Sequence, residues 1–139
     1  DLFARESVEL KAGETKIIPL GVKLDADALY RKWFIDSERN TYFGSWDRFM
    51  KSHYLEIALR SSLGVKGLII PNGTGKADLD YIYELGLILH FPYNGKESSY
   101  YQIQKGDKVA QCTLIEHKGY GMGYDTDIER TGGFGSTGK

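Results

Sequence analysis

The chain has 139 residues, of which 41% are hydrophobic and 27% charged, with a formal net charge of −1. That length suits a single domain burying about two-thirds of its unfolded surface, and the near-neutral charge gives no electrostatic basis for binding bulk nucleic acid or a membrane surface. The lone cysteine, Cys112, excludes an internal disulfide; with no membrane-length apolar run and no signal-peptide pattern, a cytoplasmic protein is expected.

In chain order, Val8-Glu9-Leu10 and Lys16 to Leu20 are predicted strands flanking the turn Lys11-Ala12-Gly13-Glu14. From Asp25 to Leu59 the sequence is polar and aromatic-rich and lacks clean alternation. Ala26 to Asp36 is predicted as a short helix, with Leu29, Trp33 and Tyr30 on one face. Ser45 to Ala58 is predicted as a second, capped by Ser45, with Trp46, Phe49, Met50 and His53 on one stripe. Leu55-Glu56-Ile57-Ala58 suits a strand equally well. Gly67 to Ile70 and Leu85 to Phe91 are continuous apolar runs expected as strands, and Pro71 to Gly75 between them is a turn cluster suggesting a hairpin. Tyr100 to Gln104, the turn Lys105-Gly106-Asp107, and the period-two run Lys108 to Ile115 complete a mainly β chain of the sandwich or barrel kind.

Chemistry concentrates in four places. The tail Gly132-Gly133-Phe134-Gly135-Ser136-Thr137-Gly138-Lys139 combines a backbone able to wrap closely around a ligand with hydroxyls and N–H groups that hold phosphate oxygens. Phe134 offers a flat face for a nucleobase. Gly133 to Lys139 has Walker A spacing, but the Ser or Thr and the helix required next are absent from the sequence; the alternative is an idle glycine-rich terminus. In Asn72 to Tyr81, Asp78 and Asp80 share one face of a strand, where a carboxylate can orient and deprotonate a water, or merely satisfy backbone N–H groups of a turn. Arg60-Ser61-Ser62 is a charged fork with small donors, suited to clamping a polyphosphate or to capping a turn. Gln111 follows the turn at Gly106 as an ordinary hairpin residue. His53, His90 and His117 are far apart in the sequence and none pairs with Cys112 at zinc-ligand spacing.

Taken in order, these segments resemble the motifs of the homotrimeric all-β dUTPase family, whose fold is a distorted jelly-roll or β-barrel. Asp1-Leu2-Phe3-Ala4 resembles the end of the first motif, whose Ala-Gly pair would precede Asp1. Arg60 to Leu63 resembles the second, Asn72 to Leu85 the uracil-binding hairpin of the third, Gly106 to Gln111 the fourth and Gly132 to Gly138 the fifth. The resemblance implies hydrolysis of dUTP to dUMP and pyrophosphate, with Mg2+ bound to the triphosphate. It assigns Asp78 as the base that activates water, Arg60, Ser61 and Ser62 as phosphate clamps, and Asp1 and Gln111 as holders of waters around the metal. Asn72 and the backbone of Lys76 and Ala77 would read uracil, and Tyr81 would pack against the sugar and exclude a 2′-hydroxyl. Phe134 would stack on uracil, Gly135, Ser136 and Thr137 would close over the phosphates, and Arg130 would reach them. A homotrimer with shared active sites is implied.

The chain departs from that pattern in places. Lys76 and Ala77 replace an apolar pair, Tyr83 stands where glycine is usual, Arg130 lies one residue nearer Phe134, and the 25–58 excursion is longer by roughly twenty residues. Such an insert, known in phage and bacterial members, is either surface elaboration or a seat for a protein partner. The organisation expected is one domain over 1–139, with the insert at 25–58 and a flexible lid at 130–139. Two rivals are a dCTP deaminase-like enzyme and a regulatory binding module acting through the insert. Deamination needs a glutamate about ten residues beyond the shared aspartate, where this chain has Ile88.

Overall fold

The structure is a computed structural model, and it describes residues 1–32, 46–118 and 133–134. Among the described residues the elements follow in the order β1 (Leu2–Phe3), β2 (Val8–Lys11), β3 (Thr15–Lys23), α1 (Ala26–Tyr30), α2 (Trp46–Ser52), β4 (His53–Leu59), α3 (Ser61–Gly64), β5 (Gly75–Asp78), β6 (Glu84–His90), β7 (Tyr100–Ile103) and β8 (Lys108–Glu116). They form a four-stranded sheet ordered β1-β8-β4-β5 and two antiparallel pairs, β2-β7 and β3-β6. This is the all-β architecture expected, with its helical residues falling largely in the 25–58 stretch.

Contacts divide the chain into two compact units. The first holds residues 1–23, 56–76 and 84–113. Its core follows the alternation of β6, where Leu85, Leu87 and Leu89 are buried and Glu84, Gly86, Ile88 and His90 are not. Ile18 pairs with Leu87 across β3-β6, and Leu10 pairs with Tyr101 across β2-β7. Leu10, Ile18, Leu89, Ile103 and Val109 are completely enclosed. The turn before β8 carries Gly106 at φ +87, a left-handed conformation that a side chain would strain. It clasps Ala4 through two hydrogen bonds, Gly106 N–H to the Ala4 carbonyl (2.8 Å) and Ala4 N–H to that of Asp107 (2.9 Å). The Asp107 carboxylate closes the turn by accepting from the Gln104 N–H at 2.8 Å. Beginning and end of the unit's chain are thereby set side by side.

The second unit comprises residues 24–55, 77–83 and 114–139. Asp25 caps α1 by accepting from the Ala28 N–H at 2.9 Å, and an Asp27–Arg31 pair one turn apart lies along it. Tyr30 meets Trp46 edge-on at 5.3 Å and Phe49 at 5.5 Å, so the apolar stripe read on these segments packs on itself. Phe49 is fully buried.

Three local readings are corrected. The helix expected over Ser45 to Ala58 ends at Ser52, and His53–Leu59 is strand β4, because backbone pairing in the sheet outweighs the helical spacing of Trp46, Phe49 and His53. Gly67 to Ile70 forms no strand; only Ile69 bridges His90, while Leu68 plugs the core. The turns at 71–75 and 105–107 are not hairpins between paired neighbours, since β5 after the first pairs β4, while β7 pairs β2 and β8 lies between β1 and β4. Of the helix expected over Ala26 to Asp36, residues 33–36 lie outside the described residues.

Candidate active site

The first unit gathers an ionic cluster around Asp1. Its carboxylate receives the Arg60 guanidinium on one oxygen and lies 3.3 Å from Lys108 Nζ on the other. β1 brings Asp1 there by pairing with β8, Leu2 opposite Ala110 and Phe3 opposite Lys108, with a bulge between the two. Arg60 is fixed from its backbone, its N–H donating to the Val109 carbonyl at 3.2 Å. It stands as the N-cap of α3, and exposed Ser61 and Ser62 form that helix's first turn. The three sequence-predicted phosphate binders therefore share one corner with Asp1. Lys108 is the cation that the sequence reading quoted within its motif without assigning. Its ammonium also lies 5.9 Å from the centre of the half-exposed Phe3 ring.

Gln111 is exposed on β8. Stepping one residue outward from the Leu2–Ala110 pair reaches Asp1 on one strand and Gln111 on the other. Together they present a carboxylate and an amide oxygen, the hard donors that a hydrated magnesium ion accepts through water. Among the described residues no group of three His, Cys, Asp or Glu side chains could hold a metal ion by itself. The donor set thus fits an ion that arrives on a phosphate chain and meets the protein through its waters, and does not make an all-protein cage.

The second unit carries the other half of the predicted chemistry. Asp78 ends β5, exposed, with buried Ala77 and Leu79 on either side; Asp80 is also exposed but stands in the turn that follows, beyond the strand on which the two were expected to share a face. The Asp78 carbonyl accepts from the Tyr81 N–H at 3.0 Å, folding the chain back in a tight turn. Tyr81 is buried. Tyr83 meets its ring at 5.6 Å and 69°, and Phe134 meets it at 6.3 Å and 87°. Gly133 lies so close that a β-carbon there would stand 2.7 Å from Tyr81 Cε2 and 3.2 Å from its hydroxyl. This close approach is to a tyrosine of the same chain; the rest of the glycine-rich tail expected to wrap a ligand lies outside the described residues. Tyr83 and Gly133 are the residues the sequence reading left without a role here.

Asn72 is exposed in the turn Pro71 to Thr74, which the Gly73 N–H closes on Ile70 at 3.0 Å; Lys76 is exposed on β5. Arg130, Gly135, Ser136 and Thr137 lie outside the described residues.

The chain matches no family model. It is 42% identical over 96 residues to the deoxyuridine 5′-triphosphate nucleotidohydrolase of Kluyveromyces lactis, a match spanning 62% of this chain and 58% of that enzyme. Against the enzyme of the same name from Rickettsia canadensis it is 30% identical, over 99% of this chain and 80% of the other. The chain belongs to the dUTPase family. Solved dUTPases share its fold: that of Streptococcus mutans at a TM-score of 0.58 and 21% identity, over 85% of this chain and 77% of that one, and that of phage phi11 of Staphylococcus aureus at 0.59 and 19%, over 97% and 83%.

Proposed function

We propose that the chain hydrolyses dUTP to dUMP and pyrophosphate, and that it does so as a homotrimer in which motifs from three chains meet at each site. The observation that carries this is the turn at the end of β5, where the backbone carbonyl of Asp78, a residue with an exposed carboxylate, accepts from the backbone N–H of Tyr81, whose side chain is buried. That turn joins a group able to take a proton from water to a wall able to judge a sugar.

In this reading Asp78 removes a proton from a water as its oxygen bonds to the α-phosphorus. The bridging bond to the β-phosphate breaks, and pyrophosphate leaves with the electron pair. Arg60 and Lys108 offset the charge of the phosphates, and Ser61 and Ser62 donate hydrogen bonds to them. Asn72 and the backbone at Lys76 and Ala77 read the uracil edge, and Tyr81 closes the space a 2′-hydroxyl would need. Phe134 covers the base; Arg130, Gly135, Ser136 and Thr137 complete the lid. Bound Mg2+ would supply charge neutralisation and orientation of the triphosphate, with Asp1 and Gln111 holding its waters. The phi11 enzyme is one that coordinates a structural Mg(II) ion, and its species-specific insert has been visualised. The insert of this chain is a candidate seat for a protein partner, with Trp46 partly exposed beside Tyr30 and Phe49.

Deamination of dCTP is not favoured, since Ile88 occupies the position of the required glutamate, on β6 beside buried Leu87 and Leu89. The deciding measurement is pyrophosphate release from dUTP, dTTP, dCTP and UTP with magnesium, with ammonia followed in parallel. Release from dUTP far above the other three is expected. Ammonia from dCTP, or no pyrophosphate from dUTP, would overturn the reading.

A further inference from the structure

We infer that Tyr83 is a positioning residue for sugar specificity, acting through Tyr81. The inference rests on the reading of Tyr81 as the wall against a 2′-hydroxyl. An aromatic wall discriminates only if its ring cannot retreat from the extra oxygen. Among the described residues, Gly133, Phe134 and Tyr83 are three that lie against the ring of Tyr81. Gly133 abuts its Cε2 edge so closely that not even a methyl group fits between them. Phe134 stands edge-to-face at 6.3 Å and 87°. Tyr83 stands near edge-to-face at 5.6 Å and 69°.

Of these three, Tyr83 belongs to the same turn as Tyr81. Gly133 and Phe134 come from the far end of the sequence. Tyr83 is thus the neighbour joined to the wall through the shortest stretch of backbone. Its backbone position is set by the turn that the Tyr81 N–H closes on Asp78 and by the start of β6 at Glu84. Glu84 in turn is held by Arg5 at 3.1 Å and accepts from the Gly21 N–H at 2.8 Å, so the residue after Tyr83 is anchored from two sides. A glycine at position 83 would leave the Tyr81 ring without this neighbour. Tyr83 is itself 45% exposed, so removing its ring opens no enclosed cavity and the fold tolerates the change.

The test compares wild-type protein with Tyr83→Gly, Tyr83→Leu and Tyr83→Phe, measuring kcat and KM separately for dUTP and UTP with magnesium, and Tm for each variant. Tyr83→Gly is expected to raise the UTP-to-dUTP ratio of kcat/KM by about three- to tenfold, the range of one edge-to-face aromatic pair, chiefly through a lower KM for UTP. Tyr83→Phe keeps the edge-to-face neighbour and is expected to keep the wild-type ratio. Tyr83→Leu keeps apolar bulk without a ring edge; it shifts the ratio in the same direction and serves alone if the glycine variant does not fold. A ratio within threefold of wild type in every folded variant overturns the inference, as does a Tyr83→Phe ratio shifted as far as that of glycine. Wild-type protein without dUTP turnover would instead overturn the functional reading beneath it.

Discussion

Asp78 and Arg60 would serve the proposed reaction in two different ways. As the proposed base, Asp78 takes the proton of the attacking water, so Asp78→Asn, nearly equal in shape, is expected to lower kcat by about 10²- to 10⁴-fold while dUTP still binds in equilibrium titration. Turnover close to wild type would remove Asp78 from the role of base. As the proposed phosphate clamp, Arg60 offers a fixed fork of donors, one arm of which Asp1 already grips. Arg60→Lys keeps the charge and loses the fork, so KM for dUTP should rise by about tenfold or more, the cost of a charge-assisted hydrogen bond. An unchanged KM would mean that the guanidinium does not meet the phosphates.

At the scale of elements, β6 and the α2–β4 junction carry the clearest consequences. Leu87 is enclosed at the centre of β6, so Leu87→Ala should cost about 2–5 kcal/mol of unfolding free energy, read from denaturant titration. His53 opens β4, its Nδ1 within 2.8 Å of Ser52 Oγ and 3.3 Å of the Phe49 carbonyl, its ring 4.9 Å from that of Phe49. Burial lowers its pKa below the ordinary 6.5; Glu116 opposes that shift and His117 adds to it. The folded state therefore favours the neutral ring. The stability it contributes is fully present above about 6.5 and is lost as pH falls through the lowered folded-state value. Between pH 7 and pH 5 wild-type Tm should fall more steeply than that of His53→Asn, which cannot take a proton; parallel curves would assign the loss to other groups.

The same elements show where the sequence was legible. Strand β6 announces itself through an apolar run whose alternate residues are buried, because burial on a sheet face is a local instruction. β8 was legible as a strand, but its burial does not alternate, since Val109 and Ala110 are both buried and Gln111 to Thr113 are exposed. The α2–β4 junction was not legible, because Trp46, Phe49 and His53 extend a helical stripe into residues that a neighbouring strand then claims. Arg60 and Asp78 stood out by residue type and motif. Their surroundings did not: Asp1, Arg60 and Lys108 meet only through the β1-β8 register and the Arg60–Val109 hydrogen bond. Gly133 against Tyr81 and Tyr83 beside it were hidden for the same reason, since sequence spacing carries no information on such approaches.

For the whole molecule, the proposed trimer makes activity a property of assembly. Specific activity should fall on dilution below the trimer's dissociation range and return on concentration, with light scattering giving about three times the 15.7 kDa chain mass in the active sample. A fully active monomer would remove the shared site. Deleting residues 132–139 should lower turnover by about a hundredfold or more, as loss of a closing lid does, with little change in Tm; preserved turnover would show that the tail has no catalytic role.

The Asp1 corner holds two cations to one carboxylate, whereas the chain as a whole carries −1. A polyanion at a distance meets slight repulsion, and attraction begins only within about 8 Å, the screening length at physiological salt. Long nucleic acids bind by summing many phosphate contacts along a basic surface, whereas a lone triphosphate can be met by one such corner. In the proposed reaction the corner therefore acts at short range, as an electrostatic latch on a nucleotide that has already arrived.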